Sequence, residues 1–153
     1  MCFLEKRRGD SENANELESI FRVYASRGKT NLAGIMTRLF IYGTLKRGHC
    51  RAGVLQDQHY LGEARTRPRY RLYRVDQYPA LVHAEPGVGI EGELWDVQAD
   101  CLAELDRIEA VDAGLYRREV IELEVDDQQQ PVEAYFYLPP TEGLEDCGRC
   151  WDG

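Results

Sequence analysis

From Leu39 onward the chain is a close succession of short segments rich in β-branched and aromatic residues, separated by turn-forming residues. LFIYG, EARTRPRYRLYRV, YPALVHA, GIEGELWDV, REVIELEV and VEAYFYL all carry this bias, which suits pleated, half-buried surfaces. One helical pattern interrupts them. In Gln98–Ala110 an apolar stripe runs through Leu102, Leu105 and Ile108, with Asp100 as the expected N-cap. Many strands of uneven length around one central helix, with few long crossovers, predict an α+β fold. Its expected form is a small, mixed, mostly antiparallel β-barrel with flanking helices.

The 153 residues suit one core rather than two. Three segments are expected: an N-terminal extension over 1–35, a domain over 36–140 and a C-terminal tail over 141–153. In the extension, Ser11 can cap a short helix whose stripe is Leu17, Ile20, Phe21 and Tyr24. Met36 alternatively stands where an initiator methionine would precede the first strand. No run approaches the about 18 apolar residues of a membrane helix. The first residues lack the apolar core of a secretory leader, so a cytoplasmic location is expected.

Charge narrows the partners. Residues from Met36 onward carry thirteen Lys and Arg against twenty-two Asp and Glu, an acidic body that disfavours phosphate backbones. Arg65, Arg67, Arg69 and Arg71 alternate, as on the wet face of a strand. Five cysteines include one CxxC, Cys147 and Cys150, with no second pair to complete a zinc site. A free-thiol, disordered tail is the expectation.

Two features suggest chemistry. After the first apolar strand, Tyr42, Gly43, Thr44 and Leu45 form a turn whose successive N–H groups can converge on an anion, and Lys46 and Arg47 add positive potential. A plain turn is the alternative. A β-branched side chain at Gly43 would oppose any positive φ there. At the helix end, Glu109 lies beside the apolar stripe, where burial and the negative end of the helix dipole both raise a carboxyl pKa. A surface Glu109 paired with Arg107 or Arg117 is the alternative. Glu91 and Glu93 share a strand face and read either as paired acids or as two solvated carboxylates.

FIYGTLKRG, YPALV, IEGELWDV, LDRIEAVDAGLYRR and AYFYL occur in an order that resembles the gamma-glutamylcyclotransferase-like family, especially its gamma-glutamylamine cyclotransferase (AIG2-like) branch. The likeness spans Leu39 to Leu138. It implies a small mixed β-barrel that uses no metal or organic cofactor. It further implies that the Tyr42–Leu45 amides hold the α-carboxylate of a glutamyl group, that Glu109 is the catalytic acid/base, and that Tyr116, Tyr78 and Pro79 line the pocket. The implied reaction converts a γ-glutamyl amine or γ-glutamyl amino acid into 5-oxoproline and the free amine. The substrate is a small molecule rather than a nucleic acid or membrane. A non-catalytic γ-glutamyl or carboxylate-binding module of the same fold is the alternative. Ala110 departs from the glycine that many relatives carry after the Glu.

Overall fold

The structure, a computed structural model, describes residues 35–125 and 130–153. The helix expected between Ser11 and Tyr24, and most of the polar DDQQQP turn, lie outside the described residues. The described elements run in the order β1 (Thr37–Ile41), a 3₁₀ turn (Ala52–Leu55), β2 (His59–Arg65), β3 (Tyr70–Val75), β4 (Tyr78–His83), β5 (Glu91–Val97), α1 (Ala99–Ile108), β6 (Tyr116–Val120), β7 (Val132–Tyr137) and β8 (Glu145–Asp146).

The α+β class holds, but the expected closed barrel does not. Among the described residues the strands form two sheets, one of five strands ordered β2-β5-β1-β7-β6 and one of three ordered β4-β3-β8. The pairing is mostly antiparallel, and β1 with β7 is parallel. The single predicted EARTRPRYRLYRV strand is split between β2 and β3, which belong to different sheets. Pro68 cannot donate to a ladder, and between the strands Thr66 turns inward, its Oγ1 accepting from the Ile90 N–H at 2.9 Å.

β1 is the middle strand of the larger sheet and is buried on both faces, which is why LFIY reads as an unbroken apolar run. Period-2 alternation sends Phe40 and Tyr42 to one core and Leu39 and Ile41 to another. The first core fills the space between the sheets with Tyr70, Leu72, Leu81, Leu94, Phe136 and Trp151. The second packs Trp95, Val97 and Tyr135 against Leu105 and the 3₁₀ residue Leu55. Each such side chain contributes about 1.5–3 kcal/mol on full burial.

α1 is capped two residues earlier than the sequence suggests: Gln98, and not Asp100, is the N-cap, and Asp100 sits in the first turn. The C-terminal segment departs most from expectation. It is ordered: β8 pairs with β3, the Arg149 carbonyl accepts from the Glu91 N–H at 2.8 Å, and Trp151 is 1% exposed. Cys147 and Cys150 are free thiols within this packed segment. The alternating arginines do not share one strand but pair with acids, Arg69 with Glu122 and Arg71 with Asp146 at 3.3 and 2.6 Å. No helix among the described residues is long and apolar enough to cross a membrane.

Candidate active site

A cavity opens where β1 ends. Its wall is made by Tyr42, Gly43, Thr44 and Leu45 after β1, by Arg51 ahead of the 3₁₀ turn, and by Tyr78 and Pro79 opening β4. Ile108 and Glu109 at the end of α1, Leu115 and Tyr116 at the start of β6, and Tyr135 of β7 complete it. The eight residues that the family resemblance assigns to the site therefore surround one space, although they span 75 positions of chain.

The turn is held from outside the cavity. The Lys46 N–H donates to the Gly43 carbonyl at 3.0 Å and the Arg51 N–H to the Thr44 carbonyl at 3.0 Å, folding the chain into a compact hook. The N–H groups of Gly43, Thr44 and Leu45 donate to no acceptor among the described residues. Gly43 does not owe its place to a positive φ. It is required by close approach: a Cβ there would stand 2.5 Å from Cγ of Pro79.

Lys46 and Arg47 do not charge the cavity either. Lys46 Nζ donates to the Trp151 carbonyl at 2.9 Å, and Arg47 lies over the Tyr60 ring and reaches Glu93 Oε1 at 3.3 Å. Glu93 is 8% exposed, so it is neither solvated nor paired with exposed Glu91. Its carboxylate accepts from the Trp95 Nε1–H at 3.1 Å and the Arg47 N–H at 3.2 Å, and so braces the hook from behind.

Glu109 caps the C-terminus of α1, and its side chain is 14% exposed. The following residue, Ala110, has φ 51°, a left-handed conformation that ends the helix and turns the chain away. Burial raises the Glu109 carboxyl to about pKa 7, and the positive charge of Arg51 opposes that rise in part. Arg107 and Arg117 bind Glu104 and Glu119 instead. The cation that faces Glu109 is Arg51, with Nη1 4.0 Å from Oε1.

Tyrosines frame this pair. Tyr42 Oη donates to the Tyr135 carbonyl at 2.5 Å, tying β1 to β7, and Tyr116 Oη donates to the Pro79 carbonyl at 2.7 Å, tying β6 to β4. Burial pushes both phenols well above their ordinary pKa, so they wall the cavity as neutral groups. Tyr78 meets the Tyr116 ring edge-on at 6.4 Å. Arg51 and Tyr135 are the polar lining residues that sequence reasoning missed. Arg51 sits in a loop without periodicity, and the hydrogen bond from its N–H to the Thr44 carbonyl brings it back to the turn.

In this small α+β domain a backbone turn with unengaged amides and a buried carboxyl thus line one cavity. The family model described as "Gamma-glutamyl cyclotransferase, AIG2-like" matches residues 39–152, and the chain belongs to that family of enzymes. A Vibrio cholerae protein whose name assigns it to the gamma-glutamylcyclotransferases is 40% identical over 84 residues, covering 55% of this chain and 70% of that protein. A gamma-glutamylaminecyclotransferase of Homo sapiens is 35% identical over 107 residues, covering 63% and 67%. Among solved structures, an AIG2-like protein from Mus musculus superposes with a TM-score of 0.59 at 25% identity, over 71% of this chain and 80% of that one.

Proposed function

We propose that this protein converts a γ-glutamyl amine or γ-glutamyl amino acid into 5-oxoproline and the free amine, with Glu109 as the proton shuttle. The observation that carries this reading is the buried Glu109 carboxyl, poised near pKa 7, in the same cavity as the unengaged amides of Gly43, Thr44 and Leu45.

The reaction needs little from the protein beyond folding the substrate and moving protons between its two nitrogens. The hook holds the substrate's α-carboxylate. Glu109 takes a proton from the α-ammonium, and the freed amine attacks the γ-carbonyl carbon. As the new C–N bond closes the five-membered ring, Glu109 returns the proton to the departing nitrogen and the old C–N bond breaks, and the second proton shed by the ring nitrogen passes to the released amine, which leaves as its ammonium. No water or other reactant is consumed. Holding the nucleophile against its own carbonyl draws on effective molarities of about 10⁵–10⁸ M, and a well-placed acid/base group adds about 10²–10⁴-fold. Tyr116, Tyr78 and Pro79 would shape the walls around the folded glutamyl chain.

The test is direct. Incubation with γ-glutamyl-lysine, other γ-glutamylamines and γ-glutamyl amino acids should release 5-oxoproline from at least one of them. No release from any would overturn the reading.

A further inference from the structure

Within the cavity, one charged group has an unsatisfied hydrogen-bond donor. The Arg51 side chain is 9% exposed, its Nη1 edge faces Glu109, and its Nη2 is buried with no hydrogen-bond partner. A desolvated guanidinium N–H without an acceptor is costly, and planar carboxylates are the ligands that its fork fits best. The hydrogen bond from the Arg51 N–H to the Thr44 carbonyl anchors this residue to the hook whose amides are also unengaged. The neighbouring cations are committed elsewhere, Lys46 to the Trp151 carbonyl and Arg47 to Glu93 and Tyr60. Positive charge in the cavity therefore comes from Arg51.

We propose that Arg51 is a specificity-determining residue whose free Nη2 edge joins the Gly43–Leu45 amides in receiving the substrate's α-carboxylate, so that ligands with an amidated α-carboxyl are rejected. The assignment rests on the γ-glutamyl reading of the cavity. It limits the substrate class to γ-glutamyl compounds whose glutamyl α-carboxyl is free, and it leaves the departing amine unrestricted by this contact. Glu109 cannot supply that selectivity, because a second carboxyl repels or at best ignores the group in question.

Calorimetric binding of 5-oxoproline, which retains the glutamyl α-carboxylate, and of its carboxamide tests this on the full chain, alongside Arg51→Gln and Arg51→Lys. The wild type should favour the acid by about tenfold or more, Arg51→Gln should bind both alike, and Arg51→Lys should keep part of the preference. In turnover, Arg51→Gln should raise KM more than it lowers kcat. Equal binding of acid and carboxamide by the wild type overturns the assignment, whether or not a variant folds. A preference that survives in Arg51→Gln overturns it too, and 5-oxoproline release in that case leaves the catalytic reading intact. A preference lost in Arg51→Gln while the wild type releases no 5-oxoproline keeps the assignment and overturns the catalytic reading.

Discussion

The ring of Pro79 lies so close to Gly43 that a methyl group on Gly43 would sit 2.5 Å from its Cγ. Gly43 is thus fixed by a neighbour on β4, and its own backbone torsions would accept alanine. Gly43→Ala should force Pro79 or the hook outward. Overpacking of this kind costs about 1–3 kcal/mol. We expect a lower Tm together with a raised KM for γ-glutamyl substrates, because the displaced atoms belong to the cavity wall. A variant with unchanged Tm and KM would show that the hook and β4 move independently.

Glu109 links activity to stability through pH. Burial raises its pKa from 4.5 to about 7, so between those values the folded protein retains a proton that the unfolded chain has released. The stabilisation is complete below about pH 4.5 and is lost as pH rises through about 7. From the size of the rise, the loss is on the order of 3 kcal/mol. Glu109→Gln removes this titration, so relative to the wild type its Tm should rise between pH 5 and 8 while turnover falls by about 10²-fold or more. The wild-type kcat/KM should climb with pH to a plateau above about 7, since Glu109 must begin as the carboxylate. Near-normal 5-oxoproline release by Glu109→Gln would remove Glu109 from the mechanism.

Ala110 occupies a left-handed position, φ 51°, immediately after Glu109. An L side chain there costs about 1–2 kcal/mol, against about 0.5–1 kcal/mol of extra unfolded-state entropy for glycine. Ala110→Gly should therefore be neutral to stabilising by about 1 kcal/mol, raising Tm by a few degrees, with Glu109 still aimed into the cavity and kcat little changed. A fall in Tm would mean that the alanine methyl makes packing contacts worth more than the torsion.

What the sequence disclosed, and what it withheld, follows from the range of the forces involved. Strands such as LFIY and the α1 stripe are written in local periodicity and were legible. Barrel closure was not, because whether β3 and β4 join β2 or stand apart depends on long-range pairing. Pro68 was the available sign that the long arginine-bearing segment breaks. The eight residues around the cavity were gathered by ordered motifs, whereas Arg51 returns to the hook through one loop hydrogen bond that leaves no pattern. Glu93 likewise gives no sign of burial, since its acceptors are satisfied by Arg47 and Trp95 only after folding.

The C-terminal segment should prove integral to the domain. Trp151 is 1% exposed in the core between the sheets, Arg74 stacks on its ring at 4.5 Å, and its carbonyl holds Lys46. Trp151→Ala removes the largest of the fully buried side chains and should cost about 3–5 kcal/mol, read from chemical denaturation. A variant as stable as the wild type would return this segment to the status of a dispensable tail.

Glu93 offers the sharpest separation between holding the hook and performing chemistry. Its carboxylate accepts from the Arg47 backbone N–H, the Arg47 side chain and Trp95 Nε1, and none of these bonds involves Glu109 or Arg51. Glu93→Gln keeps the shape and one acceptor oxygen but turns an amide NH₂ toward a donor, leaving a buried clash where a charge-assisted bond stood. Such a loss costs about 1.5–3 kcal/mol. Because the bonds fix the residue just beyond the Gly43–Lys46 turn, the loosened hook should bind the α-carboxylate less well and raise KM. The pH midpoint of kcat/KM should stay near 7, since Glu109 and Arg51 are untouched. A displaced midpoint would mean that Glu93 reaches the proton-transfer step, and an unchanged KM would mean that the hook holds its shape without this brace.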